Sequence, residues 1–526
     1  MTPLNLSLPA DLALALVPDL VLVGGAMLLL VWAAWSPDSH GHQRRVGLAS
    51  IVIAGLTMVL CFAWFDRYQA NPGPIAVDNF RWAFDIVILL GTVFTIALSM
   101  DDNMRSGITA PESHVLVLLA SSGMMLLAGA RDLMIVFLGI ELMSIAIYAL
   151  AGINRRSERS AEGALKYFLL GAFSTAFLLY GIALVYGATG TTNITLIGGR
   201  VAALGLVSSP FLVAGIALML IGFGFKVAMV PFHMWAPDVY DGAPSPITAY
   251  MASTAKAAAF AAFVRVWMEA FPHAYVEWYP ALAWLAIATM FFGNAIGLVQ
   301  KNLKRLLAYS SIGHAGYLLI GISAGTFQGA SATLFYLFIY TLATFGAFAV
   351  VVILTREGRG TVMVDELSGL WTVRPWLSLA MAVLMMSLLG FPIFGGAGFF
   401  AKWYLLQAAL QAPFKQTLLA VVLVLTTVIS AGYYLWVVMV MFMRPRADDA
   451  PLPERAGGMT QVVLVVSVVL ILIIGVVPDY AVQQTKKAQL RMAVEPETTQ
   501  LPARSSTVAP DSLRVAAGAR AAEAAR

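Results

Sequence analysis

Gly222-Phe-Gly-Phe-Lys226-Val-Ala-Met-Val-Pro231-Phe-His233-Met-Trp-Ala-Pro237-Asp-Val-Tyr-Asp241-Gly-Ala-Pro-Ser-Pro246 puts one lysine inside an apolar helical run, with a proline five residues after it. Proline removes a backbone donor and crowds the preceding turn, so the helix must break near Pro231. Lipid tails cannot satisfy a broken backbone; such a break survives only inside protein or beside a water-filled cavity. A lysine next to such a break is a functional residue by default.

Working outward, the chain has 526 residues, of which 60% are hydrophobic and 11% charged, with a mean hydropathy of +0.83. A soluble chain carries about 25% charged residues. Repeated apolar runs of about 20 residues make this an all-α polytopic membrane protein. Cys61 is the only cysteine, which excludes disulfides and thiolate-held zinc or iron–sulfur clusters within the chain. The first basic residue is Arg44, so no positively charged segment precedes the first apolar run and no cleavable signal peptide is expected.

About 14 transmembrane helices are expected, over 18–35, 46–65, 84–100, 113–129, 133–152, 161–186, 210–230, 246–268, 280–299, 304–324, 330–354, 375–410, 417–443 and 460–477. Asp19 and Asp85 open the first and third of these and read as helix-start residues. Asn71-Pro-Gly-Pro74 marks a turn-rich loop. The twelfth span is too long for one crossing, and Gly390-Phe-Pro392-Ile-Phe-Gly395-Gly396 should split it. Helices 7 and 12 are therefore both interrupted, and each carries a lysine in a shared G-F-x-x-K, Gly222 to Lys226 and Gly398 to Lys402. Paired interrupted segments point to a repeat with the site at its interface.

Basic residues in loops set the orientation. Loops after odd-numbered spans hold Arg44, Arg45, Arg105, Arg155, Arg156, Arg159, Lys301, Lys304, Arg305, Arg356, Arg359, Arg374, Arg444, Arg446 and Arg455. Loops after even-numbered spans hold only Arg67, Arg81, Arg131, Arg200 and Lys415. The odd loops are expected in the cytoplasm, with both termini on the periplasmic or outer side. The tail beyond Lys486 is basic and rich in Ala and Pro, a mobile segment or one draped on a partner.

Five basic residues remain inside spans: Lys166, Lys226, Lys256, Arg265 and Lys402. Arg265 is near a span end, where it can snorkel, and is given no role. Lys166, a few residues into its span, can snorkel or function. Glu141 is the one acid in mid-span and the obvious complement to Lys226. One reading of the two is a structural ion pair; but buried pairs are poor sources of stability, and one glutamate cannot neutralise three lysines. Proton handling is the better reading. Lysine suits it, because removal from water disfavours its charged form and a small change of field loads or unloads it. Several such groups titrate as a coupled set. His233, Ser253, Thr254, Ser310, Ser311 and His314 are candidate relays between them, though each histidine can equally be a packed, hydrogen-bonded residue. No metal-ligand spacing, nucleotide loop, nucleophile–base set or nucleic-acid patch is present.

Glu141 in its helix, Lys226 before Pro-Phe-His-Met-Trp-Ala-Pro-Asp, Lys256 after Gly-Ala-Pro-Ser-Pro, and Lys304-Arg-Leu-Leu-Ala-Tyr-Ser-Ser-Ile-Gly-His314 resemble the antiporter-like subunits of respiratory complex I. The resemblance spans about residues 18 to 478. It implies two inverted five-helix repeats, spans 4–8 and 9–13, around a central hydrophilic axis. The segments would be an N-terminal three-helix part (1–112), the repeats (113–270 and 271–445), a C-terminal helix (446–480) and a polar tail (481–526). It also implies a proton relay of Glu141, Lys226, Lys256 and Lys402, with Lys166, His233 and His314 as lesser axis residues. Lysine rather than glutamate at 402, and no long lateral helix after Pro478, favour the smallest of the three paralogues. The function implied is proton pumping in a bacterial inner membrane, driven by NADH-to-quinone electron transfer elsewhere. No cofactor is expected in this chain; FMN, iron–sulfur clusters and quinone would sit on partner subunits. The expected partners are other membrane-arm subunits, including a paralogous antiporter-like one, with lipids, protons and water, and no nucleic acid. The alternative is a subunit of a multi-subunit cation/proton antiporter or a membrane-bound hydrogenase built on the same module.

Overall fold

The structure, a computed structural model, describes residues 2–36, 39–70, 73–355, 362–393, 396–447 and 456–488. Arg356, Arg359, Arg455, Asn71, Gly395 and the tail beyond 488, all used in the reading above, lie outside the described residues.

Helices dominate because apolar runs in lipid must satisfy their own backbone. In chain order they are α1 (Val17–Trp35), α2 (His40–Trp64), α3 (Asn79–Arg105), α4 (Glu112–Ala128), α5 (Leu133–Ala151) and α6 (Glu158–Thr189). Next come α7 (Pro210–Lys226), α8 (Ala236–Gly242), α9 (Ser245–Glu269), α10 (Tyr275–Gly297), α11 (Leu303–Ser323) and α12 (Phe327–Leu354). The last are α13 (Pro375–Leu389), α14 (Gly396–Gln411), α15 (Thr417–Met443), α16 (Gly458–Val476) and α17 (Pro478–Lys487). Among the described residues, eleven helices are long and apolar enough to cross a membrane. The other three expected spans are the shorter α4 and the two split ones, α7 with α8 and α13 with α14. Short helices at Pro9–Ala15 and Ile194–Ala203, and a parallel pairing of Thr2–Leu4 with Tyr68–Ala70, escaped the apolar-run reading because they are not spans.

Both breaks occur where expected, and each is stitched by hydrogen bonds. After Lys226, Met229 N donates to Gly224 O at 2.8 Å, Val230 N to Thr289 Oγ1 at 3.0 Å, and the Trp235 indole to Phe225 O at 3.0 Å. Ala228 takes a left-handed φ of 58°, an unusual conformation for a residue with a Cβ. At the second break Gly390, with φ 80°, ends α13, and its N–H and that of Phe391 both reach Met386 O at 3.0 Å. Lys402 follows this break whereas Lys226 precedes the other, so the shared G-F-x-x-K does not mark equivalent places. A third irregularity is a π-helical stretch, Tyr250–Ala255, directly before Lys256. Such wide turns are common at functional sites.

Several charges sit deeper than the sequence suggested. Arg265 does not snorkel: its side chain is 0% exposed, forked onto Asp78 at 2.9 and 3.0 Å and bonded to Glu269 at 3.0 Å. Arg131 flanks the same two carboxylates at 3.5 Å each. Arg265 and Glu269 stand one helical turn apart, the spacing of a helix ion pair. Asp85 is not a helix-start residue either, because Asp78 caps α3, accepting from Arg81 N at 2.9 Å, and Asp85 lies two turns in. Asp19 does lie in a first turn, yet it also pairs with Arg81. Arg81, Arg131 and Lys304, counted as loop cations, are all buried. Removing them takes two from the even loops and one from the odd, which sharpens the asymmetry.

Arg265→Ala is expected to cost about 3–5 kcal/mol, the penalty for leaving a buried carboxylate without its partner; Arg131→Ala, with both contacts long, should cost less. Thermal denaturation of the detergent-purified assembly orders the two. A Cβ on Gly398 would lie 1.7 Å from Ser387 O, where α14 crosses α13, while one on Gly24 would meet nothing within 4 Å. Gly398→Ala should therefore abolish accumulation of the folded chain in membranes and Gly24→Ala should not, as immunoblotting would read.

Candidate functional site

The site residues fall into two groups. In the first, α5 packs on α6 and α6 on α7, bringing Lys226 against α5. Lys226 Nζ donates to Ser144 Oγ at 2.7 Å and lies 3.5 Å from Tyr148 OH. Ser144 Oγ in turn donates a hydrogen bond to Ile140 O. Glu141, one turn before Ser144, forms no ion pair with Lys226 among the described residues, and its Oε1 is buried without a hydrogen bond. The ammonium is only 5.7 Å from the Tyr148 ring centroid. The expected pair is thus not closed: the ammonium rests on the Ser144 hydroxyl, and Glu141 acts on it only through its field.

The second group starts at Lys256, carried off the π turn into α9. Its Nζ donates to Ser311 O at 2.7 Å and to Ser311 Oγ. Next to it on α11, Ser310 Oγ shares a short hydrogen bond with Tyr434 OH, which lies 2.9 Å from His314 Nε2. His314 Nδ1 meets Tyr336 OH at 2.6 Å. One turn on, the Tyr317 ring lies 4.5 Å under Lys402 Nζ, which donates to Leu389 O at 2.8 Å and Thr427 Oγ1 at 3.2 Å. His314 lies within the field of both Lys256 and Lys402. A cavity of about 10 Å³ beside His314, Tyr336, Tyr340 and Ser387 is at the lower limit of room for one water. The Ser387 hydroxyl there is buried with no protein partner.

Lys256 thus touches Ser311 of α11, Ser310 and His314 of the same helix are joined through Tyr434, and Lys402 lies over Tyr317 one turn further, while Lys226 rests on Ser144 with Glu141 nearby. No hydrogen bond among the described residues joins Lys226 to Lys256. Ser253 bonds back to Ala249 O at 2.6 Å, and Thr254 Oγ1 is buried without a partner. His233 is half-buried between α7 and α8, its Nδ1 without a hydrogen bond. Trp235 of the same block turns inward and stacks on Tyr167 at 4.4 Å. Lys166 lies apart, 42% exposed, paired with Glu162 at 2.7 Å and Asp238 at 3.0 Å, a carboxylate it shares with Arg305.

Sequence reasoning missed the tyrosines. Tyr148, Tyr317, Tyr336 and Tyr434 look like core aromatics in an apolar run, yet each puts its hydroxyl or ring face on the polar line. It also missed Lys304, whose Nζ is bonded to Ala243 O at 2.7 Å and Asp241 O at 3.0 Å. Lys304 lines a polar cavity of about 450 Å³ with Asp102, Glu158, Arg159, Asp241 and Thr355, at the odd-loop end of the helices. The signal was Lys304 in the first turn of α11, beside Arg305.

Chemically, Ser310, Tyr434, His314 and Tyr336 form a continuous run of hydroxyls and an imidazole that can each donate and accept, with Lys256 and Lys402 near its two ends but not hydrogen-bonded to it. Each lysine is held by oxygens with no full charge.

Comparison with known proteins agrees. The family described as NADH:quinone oxidoreductase/Mrp antiporter, TM, matches residues 130–430. A relative in Gemmatimonas aurantiaca, NADH-quinone oxidoreductase subunit N, is 50% identical over 90% of this chain and 93% of its own. The structure of respiratory complex I from Thermus thermophilus with bound aureothin contains a chain that is 36% identical, with a TM-score of 0.75 over 89% of this chain and 98% of that one. A chain of the Mrp complex from Dietzia sp., 22% identical over 90% and 97%, shares the fold with a TM-score of 0.79. At 50% identity to such a relative over 90% of its length, and with the family model matching more than half of it, this chain belongs to the subunit N family of NADH–quinone oxidoreductase, the antiporter-like membrane subunits of complex I.

Proposed function

We propose that the chain is a proton-translocating subunit of the membrane arm of NADH–quinone oxidoreductase, converting electron transfer in partner subunits into proton movement through buried lysines. The observation that carries this reading is how those lysines are held. Lys226, Lys256 and Lys402 are all buried, and among the described residues none has a carboxylate within ion-pair distance. A structural role would call for closed ion pairs, because an unpaired buried charge is costly. Ammonium groups held only by hydroxyls and carbonyls can lose and regain a proton with little rearrangement.

In this reading Glu141 and Lys226 form the first station, Lys256 and His314 the middle, and Lys402 the far one. A charge arriving at one station alters the field at the next and expels its proton. The two five-helix repeats, 113–270 and 271–445, each contribute one interrupted helix. His233 and Lys166 belong to the edges of this path, Lys166 as part of a surface ion-pair group with Asp238 and Arg305. FMN, iron–sulfur clusters and quinone are placed on partner chains, and the neighbours are other membrane-arm subunits, one of them antiporter-like. The asymmetry of exposed basic residues supports a cell inner membrane location with the odd loops cytoplasmic and both termini outside. Co-purification from native membranes with flavin- and cluster-bearing chains tests the assignment against an Mrp-type antiporter, which would bring no redox chains.

Glu141→Gln, Lys226→Ala and Lys402→Ala should each lower NADH-driven proton pumping by about 100-fold or more, the scale for losing a positioned proton-transfer group, with assembly retained. Pumping in inverted vesicles reads the first and native gel electrophoresis the second; collapse of assembly in all three would restore the structural reading. Tyr434→Phe removes the hydroxyl between Ser310 and His314 and leaves the ring. It should slow pumping while His314→Gln adds little further loss, the non-additivity of two groups on one path.

A further inference from the structure

Away from the lysine line, at the even-loop end of the helices, α3 carries a carboxylate with no satisfactory partner. Asp85 is 0% exposed, and neither of its oxygens has a hydrogen bond. Its nearest cation is Arg81, one turn back, whose Nε is 3.4 Å from Asp85 Oδ2 and itself makes no hydrogen bond. Arg81 is occupied elsewhere: Nη1 donates to Ala76 O at 3.0 Å, and Nη2 pairs with Asp19 of α1. The charged and titratable groups facing Asp85 are Asp19 from α1, Cys61 from α2, and Asp78 and Arg81 of α3 itself. Asp78 is already held by Arg265 and Arg131. One guanidinium thus serves two carboxylates and is turned towards Asp19.

A buried, ionised carboxylate without a hydrogen bond is costly by several kcal/mol, whereas the protonated form is far cheaper to bury. We propose that Asp85 is a proton-binding site of this subunit outside the lysine relay, loaded while Arg81 faces Asp19 and discharged when Arg81 turns to Asp85. The released proton passes to Asp19, whose side chain is 14% exposed, and from there to water at the even-loop face. Nothing but a proton moves, and the guanidinium keeps one carboxylate neutralised in each position.

The same helix reaches the lysine line. Thr92, seven residues after Asp85 and so about 10 Å along the helix, bonds to Ser121 Oγ at 2.6 Å. Ser121 in turn bonds to Tyr250 OH at 2.5 Å. Tyr250 opens the π turn that presents Lys256. A change at Lys256 therefore has a mechanical route to α3 and the Arg81 pair. The inference rests on the proton-translocating reading and places a proton at a residue that reading does not use.

The test uses the whole purified complex and infrared difference spectra between the oxidised and NADH-reduced forms. Wild type should show the C=O stretch of a protonated carboxyl, lost in Asp85→Asn, with assembly intact and fewer protons moved per NADH. Asp19→Asn should also abolish the band, by handing Arg81 to Asp85. A band unchanged in Asp85→Asn, or an undiminished proton yield, overturns the proposal. So does failure of Asp85→Asn to assemble, since a neutral isostere of a protonated acid leaves no charge newly unpaired. A wild-type complex that oxidises NADH without moving protons would defeat the underlying reading instead.

Discussion

The structure depends on one constraint: backbone freed by a helix break inside a membrane must find a partner in the protein. At the first break Thr289 and Trp235 supply the partners; at the second Lys402 does so itself, donating to Leu389 O at the last residue of α13. The free carbonyls at a helix C-terminus carry the negative end of the helix dipole. Lys226 is the last residue of α7, and Lys402 reaches the last residue of α13. The Lys402 ammonium therefore sits at the C-terminal end of a half-helix, whereas Lys226, itself the last residue of its half-helix, sends its ammonium across to Ser144 of α5. The two breaks thus place their lysines differently, as the shared G-F-x-x-K does not show.

Holding lysine with dipoles rather than carboxylates has consequences for chemistry. A full counter-charge at ion-pair distance would fix the proton on the ammonium, and moving it would mean opening the pair. Hydroxyls and carbonyls stabilise the charged form less and accept a neutral amine as well. Glu141 acts on Lys226 through its field with no ion pair to trap the proton, while the Ser144 hydroxyl accepts from the ammonium. Tyr434 and Tyr336 on the two nitrogens of His314 let the imidazole exchange donor and acceptor roles without moving.

The spans, both breaks and the buried lysines were legible because each depends on a local signal: apolar length, Pro and Gly in a run, charge where none belongs. What failed depends on contact between distant segments. Arg265 reads as a snorkelling end residue until Asp78, far back in the chain, is seen to fork onto it. Asp85 reads as a helix start because the apolar run begins there, while α3 begins earlier, at the cap Asp78 provides. Tyr434 and Tyr336 read as core, since one hydroxyl in an aromatic run carries no periodic signature. The π turn before Lys256 leaves no mark in composition at all.

The two ends of the molecule divide the electrostatic work in opposite ways. At the even-loop end Asp78, Arg131, Arg265 and Glu269 form a closed set whose charges cancel, two of each sign, and whose forked geometry is rigid. At the odd-loop end Lys304 is tied to carbonyls beside an open polar cavity of about 450 Å³. Cancelled charge resists change in protonation, because protonating either carboxylate leaves a guanidinium uncovered in a dry medium. Lys304, tied to carbonyls and facing Asp102 and Asp241 across a polar cavity rather than in closed pairs, is less fixed. Asp19, Arg81 and Asp85 depart from the closed set, placing one cation against two carboxylates, and an uneven count in a dry place is neutralised most cheaply by a proton.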